Sequence, residues 1–112
     1  MVIVWYDGAC PLCIREIALM RRLDTRQAID FLDIAPADAV CPLDRQMMLA
    51  RFHASEDGII LSGAAAFAAM WRAIPLLKPL GLIARNRLVL QLLERLYNRF
   101  LIIRPRLQKL LD

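Results

Sequence analysis

Cys10 and Cys13 stand three residues apart, with Pro11 between them, where a short apolar run gives way to a helical pattern. A thiol becomes a good nucleophile only as its thiolate, and a helix N-terminus favours that form through its unpaired N–H groups and the positive end of the helix dipole. Cys10 falls at that mouth, so it is expected to be exposed, partly ionised and the attacking sulfur. Three residues further on, Cys13 lies on the same helical face and within reach of a disulfide, so it can resolve a mixed disulfide formed by Cys10. Asp7 precedes the pair by three residues. Its carboxylate could accept backbone N–H bonds and fix the turn, or take the proton of Cys13 when that thiol attacks. A neighbouring carboxylate also raises a thiol pKa and so opposes the helix terminus, leaving the thiolate fraction open.

Two further residues could join the pair in another chemistry. A set of Cys10, Cys13, Cys41 and His53 has the donor types of a zinc site, but Cys41 and His53 are isolated and no second close pair is present. The plainer reading makes Cys41 an ordinary loop or buried thiol and His53 a half-buried strand residue. Ser62 and Gly63 precede an alanine-rich stretch and would lie at the same end of the sheet as the cysteines. Their N–H groups could bind a substrate carboxylate, and a small-residue helix cap explains them equally well.

The elements that must position these side chains follow from the pattern. Val2 to Tyr6 is β-branched and aromatic and stops at Asp7-Gly8, as a buried strand does. Proline suits a first helical turn, and Cys13, Ile17 and Met20 recur at helical spacing while Arg15, Glu16, Arg21 and Arg22 face elsewhere. Ile29 to Ile34 reads as a second strand and Ala35 to Pro42 as a loop, with one helical turn at Leu43 to Arg45. Met47 to Ala54 alternates well enough to be taken as a strand. Glu56-Asp57-Gly58 is a hairpin turn into Ile59-Ile60-Leu61, after which a helix runs through Ala73. Pro75, Pro79 and Gly81 break the next stretch, and a final helix or pair of helices spans about Arg85 to Leu111, bent at Pro105. One βαβ crossover followed by a ββα unit gives an α/β fold, a small mixed sheet flanked by helices. This is the thioredoxin-like arrangement, in one domain over residues 1–112, with 85–112 as an extra basic amphipathic extension.

The segment Tyr6-Asp7-Gly8-Ala9-Cys10-Pro11-Leu12-Cys13 resembles the signature of the DCC family of predicted thiol-disulfide oxidoreductases. The likeness continues through Asp57-Gly58, Ser62 to Phe67, Trp71 and Ile74-Pro75 to Tyr97 and Arg104-Pro105. The resemblance implies a thioredoxin-like fold with Asp7, Cys10 and Cys13 at a redox centre. In glutaredoxins the turn comparable to Ser62-Gly63 binds the glutathione carboxylate through backbone N–H groups. One feature departs from thioredoxins and glutaredoxins, which carry a cis-proline before the third strand. Asp44 to Leu49 contains no proline, and Pro42 is too early, which puts docking of an extended peptide substrate in doubt.

Composition bounds the remaining possibilities. The chain has 112 residues, of which 59% are hydrophobic and 23% charged, and a mean hydropathy of +0.45. Such a chain buries a core and is not disordered. The net charge of +4 is unevenly spread: residues 71–112 carry nine basic groups against two acids. Leucines interleave with those charges at helical spacing, as in an amphipathic helix. Packing on the sheet, a membrane surface, an acidic partner or a second copy could each use it, whereas no nucleic-acid motif accompanies it. The start of the sequence lacks a secretory signal, and Leu88 to Ile103 is too often interrupted by polar residues to span a bilayer, so a cytoplasmic protein is expected. Two functions compete. The first is a thiol-disulfide oxidoreductase acting on a protein or small-molecule disulfide, needing no cofactor, its thiol reductant left open. The second is a non-enzymatic binding module, its cysteines structural or metal-bound, docking through the basic helices.

Overall fold

The computed structural model describes residues 2–36, 38–39 and 41–111, and at 108 and 111 the backbone alone. Of the loop expected over 35–42, residues 37 and 40 therefore lie outside the described residues, as do 1 and 112 at the ends. Four strands form one mixed sheet: β1 (Val2–Tyr6), β2 (Ile29–Asp33), β3 (His53–Glu56) and β4 (Ile59–Ser62). The order across the sheet is β2-β1-β3-β4, parallel between β1 and β2 and antiparallel elsewhere. Helix α1 (Pro11–Leu23) supplies the crossover that two parallel strands require. Asp57 and Gly58 close the β3–β4 hairpin with φ of 51° and 84°, the left-handed pair that a two-residue turn uses to follow the twist of its strands.

Successive residues of β1 point to opposite faces and build two cores. Val2 and Val4 pack with Ile17 and Met20 of α1, Ala54 of β3, and Ala66, Met70 and Ile74 of α3 (Ala64–Ala73). Trp5 turns to the other face and packs with Ile34 and Met48 of α2 (Arg45–Ala50). Helices α1 and α3 thus cover one face and α2 the other, which is compatible with a thioredoxin-like fold. Four buried alanines in α3, Ala64, Ala66, Ala68 and Ala69, let its backbone approach the sheet closely.

Three local expectations change. The run Met47–Ala54 is not one strand: residues through Ala50 are helical, and β3 begins at His53. Gln46, Met47, Met48, Leu49 and Ala50 are good helix formers, and one buried residue, Met48, fixes the helix to its core without any alternation. No helical turn precedes Arg45 at Leu43. Pro79 and Gly81 do not simply break the chain, because they lie within α4 (Lys78–Ile83). Proline occupies the first turn, where its missing N–H costs nothing. Gly81 is buried against α3, where a Cβ would come 2.7 Å from the backbone nitrogen of Arg72.

The last helix, α5 (Arg87–Leu111), runs continuously through Pro105, which has no N–H to offer the preceding turn. It lies on α1 and α3 rather than on the sheet, because those two helices already fill that face. No helix among the described residues is long and apolar enough to cross a membrane.

Candidate redox site

The strand that carries Tyr6 ends in a turn held by its own side chains. Asp7 accepts the N–H of Ala9 at 2.9 Å through Oδ1, and its carbonyl accepts the N–H of Cys10 at 3.1 Å. Asp33, at the end of β2, accepts from Gly8 and Ala35, each at 2.9 Å. A side chain at position 8 would collide with that carboxylate, which is why glycine is needed there.

Cys10 is the N-cap of α1, with extended backbone (φ −94°, ψ 116°). Its sulfur accepts the N–H of Cys13 at 3.2 Å, the bond that a serine or aspartate cap would accept elsewhere. The two residues approach to 2.7 Å. Cys10, Cys13 and Cys41 are all in the thiol form, with no disulfide between them. Cys13 is half-buried, and its thiol is pushed up to about 12, first by burial and then by its hydrogen bond to Cys10, with the charges of Cys10 and Asp7 adding to the rise and Arg104 opposing it. Cys13 therefore holds its proton, and Cys10 accepts from both its S–H and its N–H. The expected exposure of Cys10 is corrected, since it keeps only 3% of its surface. Cys13, not Cys10, lines the adjoining cavity.

That cavity is walled by Trp5, Leu12, Met48, Phe52, Phe67 and Phe100, among others, and holds the polar groups of Asp7, Glu16, Arg51, Tyr97 and Arg104. Two of these are functional candidates that sequence reasoning passed over. The helical spacing predicts that Glu16 faces away from the Cys13, Ile17 and Met20 stripe. It instead lines the cavity, where burial raises its carboxyl to about 7 against the pull of the Arg104 charge. Its position three residues after Cys13 was the available signal, because that spacing shares a helical face. Arg104 comes from α5, 91 residues beyond Cys13, and its Nη2 donates to Cys13 Sγ at 3.3 Å. The same guanidinium also interacts with Cys10. Its pairing with Pro105 marked it only as part of a family-like C-terminal segment.

Helix α5 is pinned over the site by more than this contact. The Tyr97 hydroxyl accepts the N–H of Phe52 at 2.7 Å, and its ring meets Phe67 edge-on at 5.6 Å. Arg51 lies over the Tyr97 ring at 5.1 Å, donates to Asn98 at 3.1 Å and pairs with Glu94. The Glu94 carboxylate also accepts the Ala64 N–H at 3.3 Å. It thus occupies the N-terminus of α3, where Gly63 (φ 65°) has no room for a side chain beside it. Ser62 and Gly63, expected to hold a substrate carboxylate, lie where the protein's own carboxylate sits.

Cys41 and His53 do not join the cysteine pair. Cys41 packs beside the Trp5, Ile34 and Met48 cluster, and His53 is buried in β3 with its Nδ1 2.8 Å from the Arg51 carbonyl. Among the described residues no group of three or more histidine, cysteine or acidic side chains could hold a metal ion.

Comparison with known proteins gives three findings. A chloroplastic protein of Arabidopsis thaliana, itself uncharacterised, is 35% identical over 77 residues, 63% of this chain. The match spans 36% of that relative's length. No solved structure matches. The family model of the DCC1-like thiol-disulfide oxidoreductases matches residues 4–110, so that the chain, with its cysteine pair at the head of α1, belongs to that family.

Proposed function

We propose that the protein is a thiol-disulfide oxidoreductase that exchanges electrons through Cys10 and Cys13, with Cys10 as nucleophile and Cys13 as resolving thiol. The observation that carries this reading is the asymmetric hydrogen bonding of the pair, in which Cys10 Sγ accepts from the backbone and side chain of Cys13. A thiol held near 12 is protonated at neutral pH and cannot make the first attack. The thiolate of Cys10 attacks a sulfur of the substrate disulfide, one substrate thiolate leaves, and a mixed disulfide remains.

That step also activates its partner. Once Cys10 is bonded to substrate, it no longer carries charge or accepts the Cys13 S–H, so two of the causes that raise Cys13 disappear while the Arg104 contact stays. Cys13 then loses its proton, to solvent or to Asp7 or Glu16 nearby, and attacks Cys10 Sγ. The second substrate thiol leaves, and two electrons have passed from the dithiol to the substrate. Because Cys10 is covered, local opening of the site precedes the first attack. The substrate is a protein or small-molecule disulfide, and an external thiol returns the pair to its reduced form. The reading keeps the cytoplasmic setting expected from the sequence, where cysteines remain reduced between turnovers.

The test is a single turnover of pre-reduced protein with 5,5′-dithiobis(2-nitrobenzoate), followed by dithiothreitol-driven reduction of insulin. All proteins carry Cys41→Ala so that the pair alone is read, and the one with both site cysteines should release two equivalents of thionitrobenzoate. Cys13→Ser should release one and accumulate a mixed disulfide at Cys10, and Cys10→Ser should lose insulin reduction. Full turnover by Cys10→Ser would remove the proposal.

A further inference from the structure

The cation at this site is supplied from outside the sheet and its nearest helices. Arg104 reaches Cys13 Sγ at 3.3 Å and interacts with Cys10 as well, so a single guanidinium serves both sulfurs. A planar fork with several donors can do this, whereas a lysine ammonium acts as a point charge. We propose that Arg104 is a catalytic residue of the exchange, holding the thiolate on Cys10 before attack and the thiolate on Cys13 after it. This inference deepens the oxidoreductase reading and rests on it.

The chemistry of the two steps requires such a group. In the first, the negative charge starts on Cys10 and ends on the departing substrate sulfur. In the second, Cys13 gives up its proton, forms the bond to Cys10 Sγ, and the charge leaves again with the second substrate thiolate. No electrons pass to or from the arginine, and its own proton count is unchanged. Its contribution is a positive charge that need not move when the thiolate changes place by one helical turn. The other ionisable groups around the sulfurs cannot substitute for it. Asp7 in the β1–α1 turn and Glu16 on α1 are carboxyls, Tyr97 on α5 is a phenol, and Arg51 before β3 is committed to Glu94 and Asn98. The N-terminus of α1 adds only the partial charge of a helix end, and the N–H of Cys13 delivers it to Cys10 Sγ alone, not to Cys13 Sγ.

The experiment uses full-length reduced protein and measures iodoacetamide alkylation of each cysteine against pH by mass spectrometry. Arg104→Met should move the alkylation midpoint of the reactive thiol upward by about one pH unit and slow its alkylation at pH 7 by about tenfold. Arg104→Lys should keep the midpoint near that of wild type but slow release of the second thionitrobenzoate several-fold, because a point charge cannot bridge two sulfurs. A midpoint unmoved in folded Arg104→Met overturns the inference. If Arg104→Met does not fold, Arg104→Lys decides: wild-type rates in both release steps overturn the inference, and a slowed second step supports it. A merely structural arginine would alter melting but not the midpoint. Failure of the oxidoreductase reading is separately visible, as wild-type protein that does not reduce disulfides or Cys10→Ser that does. The alkylation profile judges Arg104 in either case.

Discussion

Glu16 places a carboxyl that changes charge near neutral pH within the same cavity as the resolving thiol and its arginine. Burial raises it from 4.5 to about 7, so in the folded protein it prefers to be neutral. A group raised on folding contributes stability that is complete below its unfolded value and is lost as pH climbs through its folded value. For Glu16 that window runs from 4.5 to about 7 and is worth on the order of 3 kcal/mol, at 1.36 kcal/mol per pH unit. Glu16→Gln keeps the shape and removes the titration. Urea unfolding across this range should show the variant gaining on wild type from pH 4.5 to 7, the gap staying level above that, and a constant difference would contradict it. At this scale Cys10, Cys13 and Asp7 were legible because one turn of chain contains them. Arg104 was not, because its meeting with Cys13 is made by packing across 91 residues.

Among the elements, α5 is held by several polar contacts, one of which can be removed without changing shape. The Tyr97 hydroxyl satisfies the N–H of Phe52 just before β3, while its ring belongs to a cluster with Phe67 and Phe100. Tyr97→Phe keeps the ring and leaves that N–H without its acceptor. The expected cost is about 1–3 kcal/mol, and a fall of several degrees in melting temperature should report it. Unchanged melting would show that water replaces the hydroxyl. Strand β1, helix α1 and the Asp57-Gly58 hairpin could be read from residues because each has a strong local code of β-branching, proline and spacing, or turn chemistry. Strand β3 could not: its His-Ala-Ser-Glu sequence has little strand preference, and its place between β1 and β4 imposes the conformation.

For the whole molecule, a mixed sheet followed from the succession of a parallel crossover and a hairpin, while the order β2-β1-β3-β4 comes from the structure. The third layer did not follow, since an amphipathic pattern says that α5 has an apolar face without saying what that face meets. Its inner side, with Tyr97, covers α1 and α3, yet Leu88, Leu92 and Leu96 remain largely exposed on the outside. The C-terminal half is tied to the redox pair through Arg104, which ends one residue before the break in the hydrogen-bond ladder at Pro105. Oxidation of the pair removes the sulfur charge that holds Arg104. Hydrogen exchange over residues 101–111 should therefore quicken several-fold on oxidation of wild type and stay unchanged by oxidant in Cys13→Ser; identical rates in the two redox states of wild type would refute this coupling. The Glu94 carboxylate at the head of α3 has a different consequence. A molecule that plugs its own anion receptor offers an incoming donor no charged handle there unless the plug is first dislodged, so selection among donors would fall to the reactivity of their sulfur and to their fit against the aromatic wall.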